Sequence, residues 1–206
     1  MRLAPVTVTA LVLLAALTVA AVSLALARRG IGSVRVPVFA APRGSEAAGV
    51  RYAFTTAFLP WAKESASGHL ATYLAGIIFH AGIFAMLARL VLTLVPAALP
   101  RVLEHFLAGL FALALGCGLG LLAKRQASAK LRAISVPDDL IANLLVDAAL
   151  AGALAASVVP GVVPLFQLAG AALLLYAPLG KLRHMLFLVT SRRLWGQYYG
   201  RRGVRG

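Results

Sequence analysis

The sequence predicts an all-α integral membrane protein, a bundle of five transmembrane helices, and its composition carries that prediction. Of the 206 residues, 61% are hydrophobic and only 13% are charged. The mean hydropathy is +0.90, which lies outside the range of ordinary soluble domains. Several apolar runs also reach the roughly 20 residues that a helix needs to cross about 30 Å of hydrocarbon.

The positive charge indicates a membrane topology rather than nucleic-acid binding. The net charge is +14, and the Lys and Arg residues lie between the apolar runs. They do not cluster on a soluble domain with interleaved aromatic residues, as binding to nucleic acid would require. Cytoplasmic loops of membrane proteins retain Lys and Arg during insertion. Topology therefore explains the charge, and no nucleic-acid partner is predicted.

The chain is predicted to be a single membrane domain, residues 1–206, whose first span covers about residues 6–27. That run ends at Ala25-Leu26-Ala27, which resembles a signal-peptidase site. Because the run exceeds the roughly 7–15 residues of a usual signal core, we expect a retained helix. A polar cytoplasmic connection over residues 28–67 follows. Its aromatic, amphipathic stretch at residues 52–61 predicts a short helix at the membrane interface.

Four further spans are predicted at about residues 69–95, 102–123, 140–159 and 164–190, before a basic tail at residues 191–206. Pro96 ends the second span, and Pro137 opens the fourth, with Asp138 and Asp139 near the positive end of the helix dipole. Nearly all Lys and Arg residues fall in the first connection, the loop after the third span and the tail. Five spans with the N-terminus outside and the C-terminus in the cytoplasm satisfy this bias.

The four histidines are the candidate cofactor ligands, because an ionisable side chain at membrane depth is costly and is a functional hypothesis in itself. Cys117 is the one cysteine, so neither a cysteine-ligated iron–sulfur cluster nor covalent haem attachment is predicted. His69 and His105 fall near predicted helix ends, where water or headgroups satisfy them. His80 and His184 lie deeper.

His80 and His184 are predicted to share one depth in the cytoplasmic half of the membrane. At a rise of about 1.5 Å per residue, His80 lies about 18 Å along the second span and His184 about 12 Å from the end of the fifth. Two imidazoles that face each other from different helices are what a bis-histidine haem b requires. The spacing leaves a second interpretation open, in which each imidazole bonds a backbone carbonyl or a hydroxyl.

Two segments that contain these histidines resemble the gamma subunit of respiratory nitrate reductase. The residues F-H-A-G-I-F at positions 79–84 resemble the F-H-x-G-I-hydrophobic signature of that family's second helix. The residues P-L-G-K-L-R-H at positions 178–184 are similar to the P-x-x-K/R-L-x-H segment of its fifth helix. The ending at residues 199–204 looks like that of related cytochrome b subunits that partner iron–sulfur proteins of the heterodisulfide-reductase type. The resemblance covers most of the chain beyond the first connection.

The resemblance implies that His80 and His184 are the axial ligands of one haem b near the cytoplasmic side. It also implies that Lys181, one helical turn from His184, meets a haem propionate or a lipid headgroup. Pro178 is expected to kink the fifth span and to free backbone groups near the macrocycle.

Both ligands of a second, outer haem are missing from the pattern. Family members with two haems carry a second histidine ten residues after the first, where this chain has Leu90. The partner histidine in the fifth helix falls near Phe166 or Gln167. A single haem is therefore expected. His105 with an unidentified ligand is the alternative by which a second haem would be held.

A quinone site is implied near the outer start of the third helix, where the family exchanges electrons with quinol. The corresponding residues are Glu104 and His105, which Arg89 faces across a short link. A carboxylate and an imidazole suit quinol oxidation, because it releases protons with the electrons. The alternative is an interfacial Arg–Glu ion pair. Asp147, one turn after Asn143, either passes protons or makes a helix-packing hydrogen bond.

These expectations favour a cytochrome b subunit of a bacterial or archaeal cytoplasmic membrane, surrounded by lipid. It would transfer electrons between the quinone pool and a peripheral redox subunit, iron–sulfur and cytoplasmic. No nucleophile motif, metalloprotease helix or phosphate loop is visible, so the chain alone catalyses at most quinol oxidation or quinone reduction. Two alternatives are a haem-free membrane anchor or assembly subunit and a small transporter, which requires broken helices and a midplane polar site.

Overall fold

The computed structural model describes residues 6–32, 43–62, 64–95 and 99–204. All regular structure in these ranges is helical, which confirms the predicted all-α fold. The longer helices are, in chain order, α1 (Val6–Gly32), α2 (Glu46–Phe54), α3 (Leu70–Leu92), α4 (Arg101–Ala127), α5 (Pro137–Val158), α6 (Val163–Tyr176) and α7 (His184–Arg201). Short α-helical turns cover Glu64–Ser67 and Ala129–Ala133, and 3-10 turns cover Thr56–Phe58, Pro60–Ala62, Pro160–Val162 and Lys181–Arg183.

Four helices are long and apolar enough to cross a membrane, namely α3, α4, α5 and, over Thr9–Leu26, α1. Their bounds lie close to those of the first four predicted spans. The start of α5 follows the predicted chemistry, because Pro137 occupies its first turn and an Asp139 carboxylate oxygen accepts a hydrogen bond from the Val136 backbone N–H at 3.0 Å. Pro96, predicted to end the second span, lies outside the described residues.

The prediction of a continuous fifth span over residues 164–190 is wrong. Helix α6 ends at Tyr176, a 3-10 turn covers Lys181–Arg183, and α7 begins at His184. The reason lies at Pro178, which has no backbone N–H and whose ring clashes with the carbonyl one turn earlier. The backbone N–H groups of Leu179 and Gly180 both turn back to the Tyr176 carbonyl, at 2.9 and 3.2 Å. The expected kink is therefore a break, and the 14 residues of α6 are shorter than an ordinary span.

The chain divides into two compact units, of which the first comprises Met1–Ala20 and Leu74–Leu182. Its core is a helical bundle whose largest fully buried apolar side chains are Leu13, Met86, Leu90, Leu150, Phe111 and Phe166. Small residues set the helix spacing. A Cβ atom at Gly82 of α3 would collide with Ala114 of α4, and one at Gly152 of α5 would press on Phe166 of α6.

The outward faces of this bundle are apolar. Phe84 of α3, Leu113 of α4 and Leu144 of α5 are all more than half exposed. A continuous apolar surface of this kind is unfavourable in water and marks contact with a membrane or a partner. Helices that are long enough to cross a bilayer and apolar on their outer faces fit contact with lipid.

The second unit comprises Ala21–Tyr73 and Arg183–Gly206, and in it α2 packs along α7. The contact is between backbones, because a Cβ atom at Gly49 would collide with the backbone of Gly196 and Gly200. The Arg201 carbonyl of α7 accepts hydrogen bonds from the backbone N–H groups of Arg43 and Gly44, at 2.9 and 3.1 Å. The residues predicted as a basic tail thus form most of a packed helix.

The aromatic stretch at residues 52–61 is not the single short helix that was predicted. Helix α2 ends at Phe54, and two 3-10 turns follow, separated at Leu59. Pro60 accounts for the interruption, because it fixes its own φ and restricts the preceding residue to extended backbone, which Leu59 adopts at φ −79° and ψ 139°. The Arg192 guanidinium of α7 lies 4.2 Å from the centre of the Phe58 ring and donates to the Ala53 carbonyl.

Candidate functional site

The imidazole of His80 is exposed on α3, and one of its two nitrogens is engaged. Nδ1 lies 2.7 Å from the Gly76 carbonyl oxygen, one turn earlier. Because a carbonyl only accepts, Nδ1 carries the proton and the Nε2 lone pair is directed away from the helix backbone. A metal-ligating histidine characteristically presents one nitrogen in this way while the other donates to a carbonyl. The same bond also satisfies the second interpretation, an imidazole held by a backbone carbonyl.

The space beside His80 is open. Gly76 precedes His80 by one turn, and a Cβ atom there would meet no heavy atom of the described chain within 4 Å. The Phe79 ring stands edge-on to the imidazole, with ring centres 6.2 Å apart, and packs into the core. The glycine leaves room for an apolar group against the imidazole.

His184 is the first residue of α7 and is exposed. The expectation that His184 lies inside a continuous membrane span is wrong, because the helix is interrupted at Pro178 and Gly180, just before His184. His80 belongs to the first unit and His184 to the second. Their pairing on one haem iron stays a prediction.

Lys181 already has carboxylate partners in the first unit. Its ammonium lies 2.5 Å from Asp139, and its backbone N–H donates to Asp138 at 2.8 Å. Arg125 of α4 also pairs with Asp139, at 3.3 Å. Both Asp138 and Asp139 belong to the first turn of α5, where the helix dipole favours negative charge. The predicted role of Lys181 at a haem propionate would thus compete with this cluster.

Two of the three candidate quinone residues are together in the structure. Arg89 of α3 donates to Glu104 of α4 at 3.0 Å, with side chains 14% and 23% exposed. The second carboxylate oxygen of Glu104 is buried and has no hydrogen-bond partner in the described chain. His105 points to the exposed side and bonds the Arg101 carbonyl through Nδ1 at 2.7 Å. The ion pair is the arrangement expected from the alternative interpretation, an interfacial Arg–Glu pair. The second oxygen of Glu104 is a free acceptor to which a ligand hydroxyl could donate.

Packed side chains occupy the positions at which the resemblance would place the ligands of an outer haem. Leu90, Phe166 and Gln167 are fully buried. The Leu90 side chain occupies the place where a Cβ atom at Gly170 of α6 would fall. The Gln167 amide donates to Thr93 at 3.1 Å and accepts from Thr9 of α1 at 2.6 Å.

Asp147 is a buried carboxylic side chain in the middle of α5, with 4% of its surface exposed. Its Oδ2 accepts from the Asn143 amide at 2.7 Å, and the same amide lies 3.5 Å from the Gly118 carbonyl of α4. Its Oδ1 has no hydrogen-bond partner among the described residues. A Cβ atom at Gly118 would collide with this oxygen and with the Phe79 ring. The sequence identifies Asp147 as a polar residue within an apolar span, but it does not predict that Asp147 lies against Gly118.

The glycine contact in the second unit was missed. An open cleft of about 490 Å³ runs beside it, lined among others by two arginines and three aromatic residues, Arg43, Arg51, Tyr52, Trp195 and Tyr199. Gly196 and Gly200 are spaced four apart, a pair of small residues that permits close helix approach. That spacing could have predicted the close contact between α2 and α7. It was not interpreted in this way because the segment is basic, whereas such pairs are usually sought in apolar helices.

Helices that are long enough to cross a bilayer, apolar outside and joined by interhelical polar contacts define a multi-pass helical membrane protein. Among the described residues, no group of three or more His, Cys, Asp and Glu side chains is arranged to hold a bare metal ion. Comparison with models of protein families, with curated proteins and with solved structures finds no match to this chain.

Proposed function

We propose that the chain is a b-type cytochrome subunit of a membrane redox complex, in which one haem b is ligated by His80 and His184. It transfers electrons between the quinone pool and a peripheral, cytoplasmic redox subunit such as an iron–sulfur protein. The observation that carries the proposal is the state of His80: Nδ1 is held by the Gly76 carbonyl, and the Nε2 lone pair is directed outward on a membrane helix.

The residues around His80 fit a haem. The ring is exposed, no side chain is present at Gly76, and the neighbouring outward residue Ile77 is apolar and 45% exposed. An apolar macrocycle can pack favourably against such a surface, whereas a hydrated ion would lose water without gaining polar contacts. A bound haem b supplies one-electron chemistry, and the protein adjusts its potential through ligands and burial.

The packed outer position supports one haem rather than two. Replacement of Leu90 alone would not admit a ligand pair, because Gln167 is engaged with Thr93 and Thr9. The buried hydrogen bonds would have to break without replacement, at a cost of about 1–3 kcal/mol for each polar group left unsatisfied. We therefore assign no haem to this end of the first unit.

The Arg89–Glu104 pair supports a quinol site at the C-terminal end of α3. Arg89 holds one carboxylate oxygen of Glu104, so the second, buried oxygen is fixed in position to accept a proton from a ligand hydroxyl. The Nε2 nitrogen of His105, on the exposed side of α4, is a further acceptor. The Glu104 carboxylate would thus be the first proton acceptor and Arg89 the group that positions it.

A haem-free anchor or assembly subunit is the second candidate, and the break before His184 favours it. A ligand at the first residue of a helix, after a turn set by Pro178, is held less rigidly than one inside a span. The anchor function needs only the helical bundle and its apolar exterior.

The reduced-minus-oxidised optical spectrum of the purified chain tests these candidates. A low-spin b-type band is expected for the wild type, and it should vanish in His80→Ala and in His184→Ala. His69→Ala is the matched control and should keep the band, because His69 precedes α3 at the helix end. A folded chain that binds no haem, judged by its helical circular dichroism, would overturn the proposal and favour the anchor.

A further inference from the structure

A line of polar side chains runs along one face of α5, from its exposed end into its buried middle. Asp139, Asn143 and Asp147 are spaced four residues apart, so they lie one turn after another on the same face. Asp147 is about 12 Å along the axis from Asp139. No other helix of the first unit carries two carboxylates and an amide in this register.

The outer end of this line, Asp139, has a side chain that is only 9% exposed, but its partners reach solvent. Asp139 is held by Lys181 and Arg125, whose side chains are 50% and 39% exposed. Asn143 is half-buried, and its amide reaches Asp147 at 2.7 Å. Solvent therefore reaches the cations that hold Asp139, and the half-buried Asn143 lies between them and Asp147.

No charged side chain of the described residues pairs with the inner end, Asp147. The groups that face Asp147 are the Asn143 amide on its own helix, the Gly118 backbone of α4 and, beyond Gly118, the Phe79 ring of α3, and none of them is charged. Helix α6, which also packs on α5, carries Tyr176 as its one ionisable residue. The cations Arg125 and Lys181 engage Asp139 instead.

An ionised carboxylate in such surroundings is strongly disfavoured. Its Oδ1 is buried against Gly118 with no donor among the described residues, and burial of an uncompensated charge costs several kcal/mol in real proteins. A proton on Oδ1 removes that charge and lets Oδ2 keep the Asn143 bond. Carboxylic groups of this kind inside membrane helices are where proton relays bind their protons.

We propose that Asp147 is an exchangeable proton-binding site of the membrane bundle, which exchanges with solvent along the Asn143–Asp139 face of α5. On loading, an O–H bond forms at Oδ1 while an O–H bond of a hydronium ion breaks and leaves water, so charge and atoms balance without any redox partner. Asn143 is a positioning residue that holds Oδ2. The inference is independent of the haem and stands on the geometry of the first unit.

Infrared spectroscopy of the full purified chain in detergent tests the site. We expect a carbonyl stretch of a protonated carboxylic acid at neutral pH, which shifts when H2O is exchanged for D2O and disappears as the pH is raised. Asp147→Asn, nearly the same shape, should remove it. Glu104→Gln is the matched control and should leave it, because Glu104 is the other carboxyl with an unsatisfied oxygen.

The exchange rate tests the path. Asn143→Leu should keep the acid band but slow its deuterium exchange several-fold, whereas Gln126→Leu, on the exposed surface of α4, should not. Absence of an acid band sensitive to Asp147→Asn overturns the proposal, and so does a band that neither exchanges nor titrates. If Asp147→Asn fails to fold, the band is measured in Glu104→Gln, where it should still exchange and titrate, and its loss there would overturn the proposal.

Discussion

At the scale of single residues, two histidines with the same backbone bond differ in what surrounds them. His80 and His105 each engage a carbonyl four residues earlier through Nδ1, at 2.7 Å, and each is exposed. The residue one turn before His80 is Gly76, whereas the residue one turn before His105 is Arg101. No side chain is present one turn before the first imidazole, whereas the residue one turn before the second carries a long cationic side chain. This difference is the reason for proposing His80 as the haem ligand and His105 as a proton acceptor at the quinone site.

The contact between Asp147 and Gly118 predicts how a substitution at Gly118 changes the stability of the bundle. Gly118→Ala places a methyl group against Oδ1 of Asp147 and the Phe79 ring. Overpacking of this kind costs about 1–3 kcal/mol, more than the roughly 1 kcal/mol that alanine gains over glycine in a helix. We expect a lower thermal midpoint in detergent, followed by circular dichroism.

Gly116→Ala is the control for this prediction, because a Cβ atom there meets nothing within 4 Å of the described chain. It should leave the midpoint unchanged or raise it. An equal loss of stability in both variants would mean that glycine at these positions matters for the helix backbone and not for the space around Asp147.

At the scale of helices, the sequence predicts those elements whose signals are local. The apolar runs of α3, α4 and α5 are as long as a bilayer is thick, and Pro137 with two aspartates marks the start of α5. The break after α6 was underestimated, because a proline inside an apolar run permits either a kink or an end. Pro178 rules out a continuous helix, and the contacts around it make the interruption an end of α6. The Tyr176 carbonyl accepts two turn hydrogen bonds, and the Tyr176 ring leaves no room for a side chain at Gly180.

The candidate sites also differ in whether they depend on local sequence signals or on contacts between distant helices. The Arg89–Glu104 pair was predictable because a short link brings the end of one helix to the start of the next. The approach of Asp147 to Gly118 was not, because it depends on the rotation and register of α5 against α4. The α2–α7 contact joins residues about 150 positions apart, as in the Glu46–Arg201 ion pair, and no local pattern announces such a partner.

The α2–α7 contact gives a prediction at this scale. Helix α2 has nine residues, and an isolated helix of that length is marginal in water. Gly200→Val would drive a side chain into the Ser45 carbonyl and the Gly49 backbone. We expect α2 to lose hydrogen-exchange protection at residues 46–54, while α4 and α5 keep theirs.

Gly68→Ala is the control for the α2–α7 contact, since its Cβ atom meets no described atom within 4 Å. Protection of α2 should be unchanged in this variant. Persistence of α2 protection in Gly200→Val would show that α2 is held by something other than the glycine contact, for instance the Arg192 bond to Ala53.

At the scale of the whole chain, the proposed cytochrome depends on how many times the polypeptide crosses the membrane. Four helices have the length and hydropathy to do so, and α6 is shorter. With the N-terminus outside, four crossings return the chain to the outside, whereas a fifth places the C-terminus in the cytoplasm. The positive-inside rule favours the fifth crossing, because α7 and the residues after it are rich in arginine. The break between α6 and α7 makes this the crossing that most needs a test.

Cysteine labelling decides the number of crossings, with Cys117→Ala as the background. Three exposed positions report on successive loops: Lys130 between α4 and α5, Gly161 between α5 and α6, and Val204 after α7. A membrane-impermeant maleimide applied to intact cells should label Gly161→Cys and spare Lys130→Cys until the membrane is permeabilised. Val204→Cys should behave like Lys130→Cys if the chain crosses five times. Labelling of Val204→Cys from outside, together with Gly161→Cys, would leave four crossings, put the arginines of α7 on the outer face, and remove His184 from the cytoplasmic side on which the proposed haem depends.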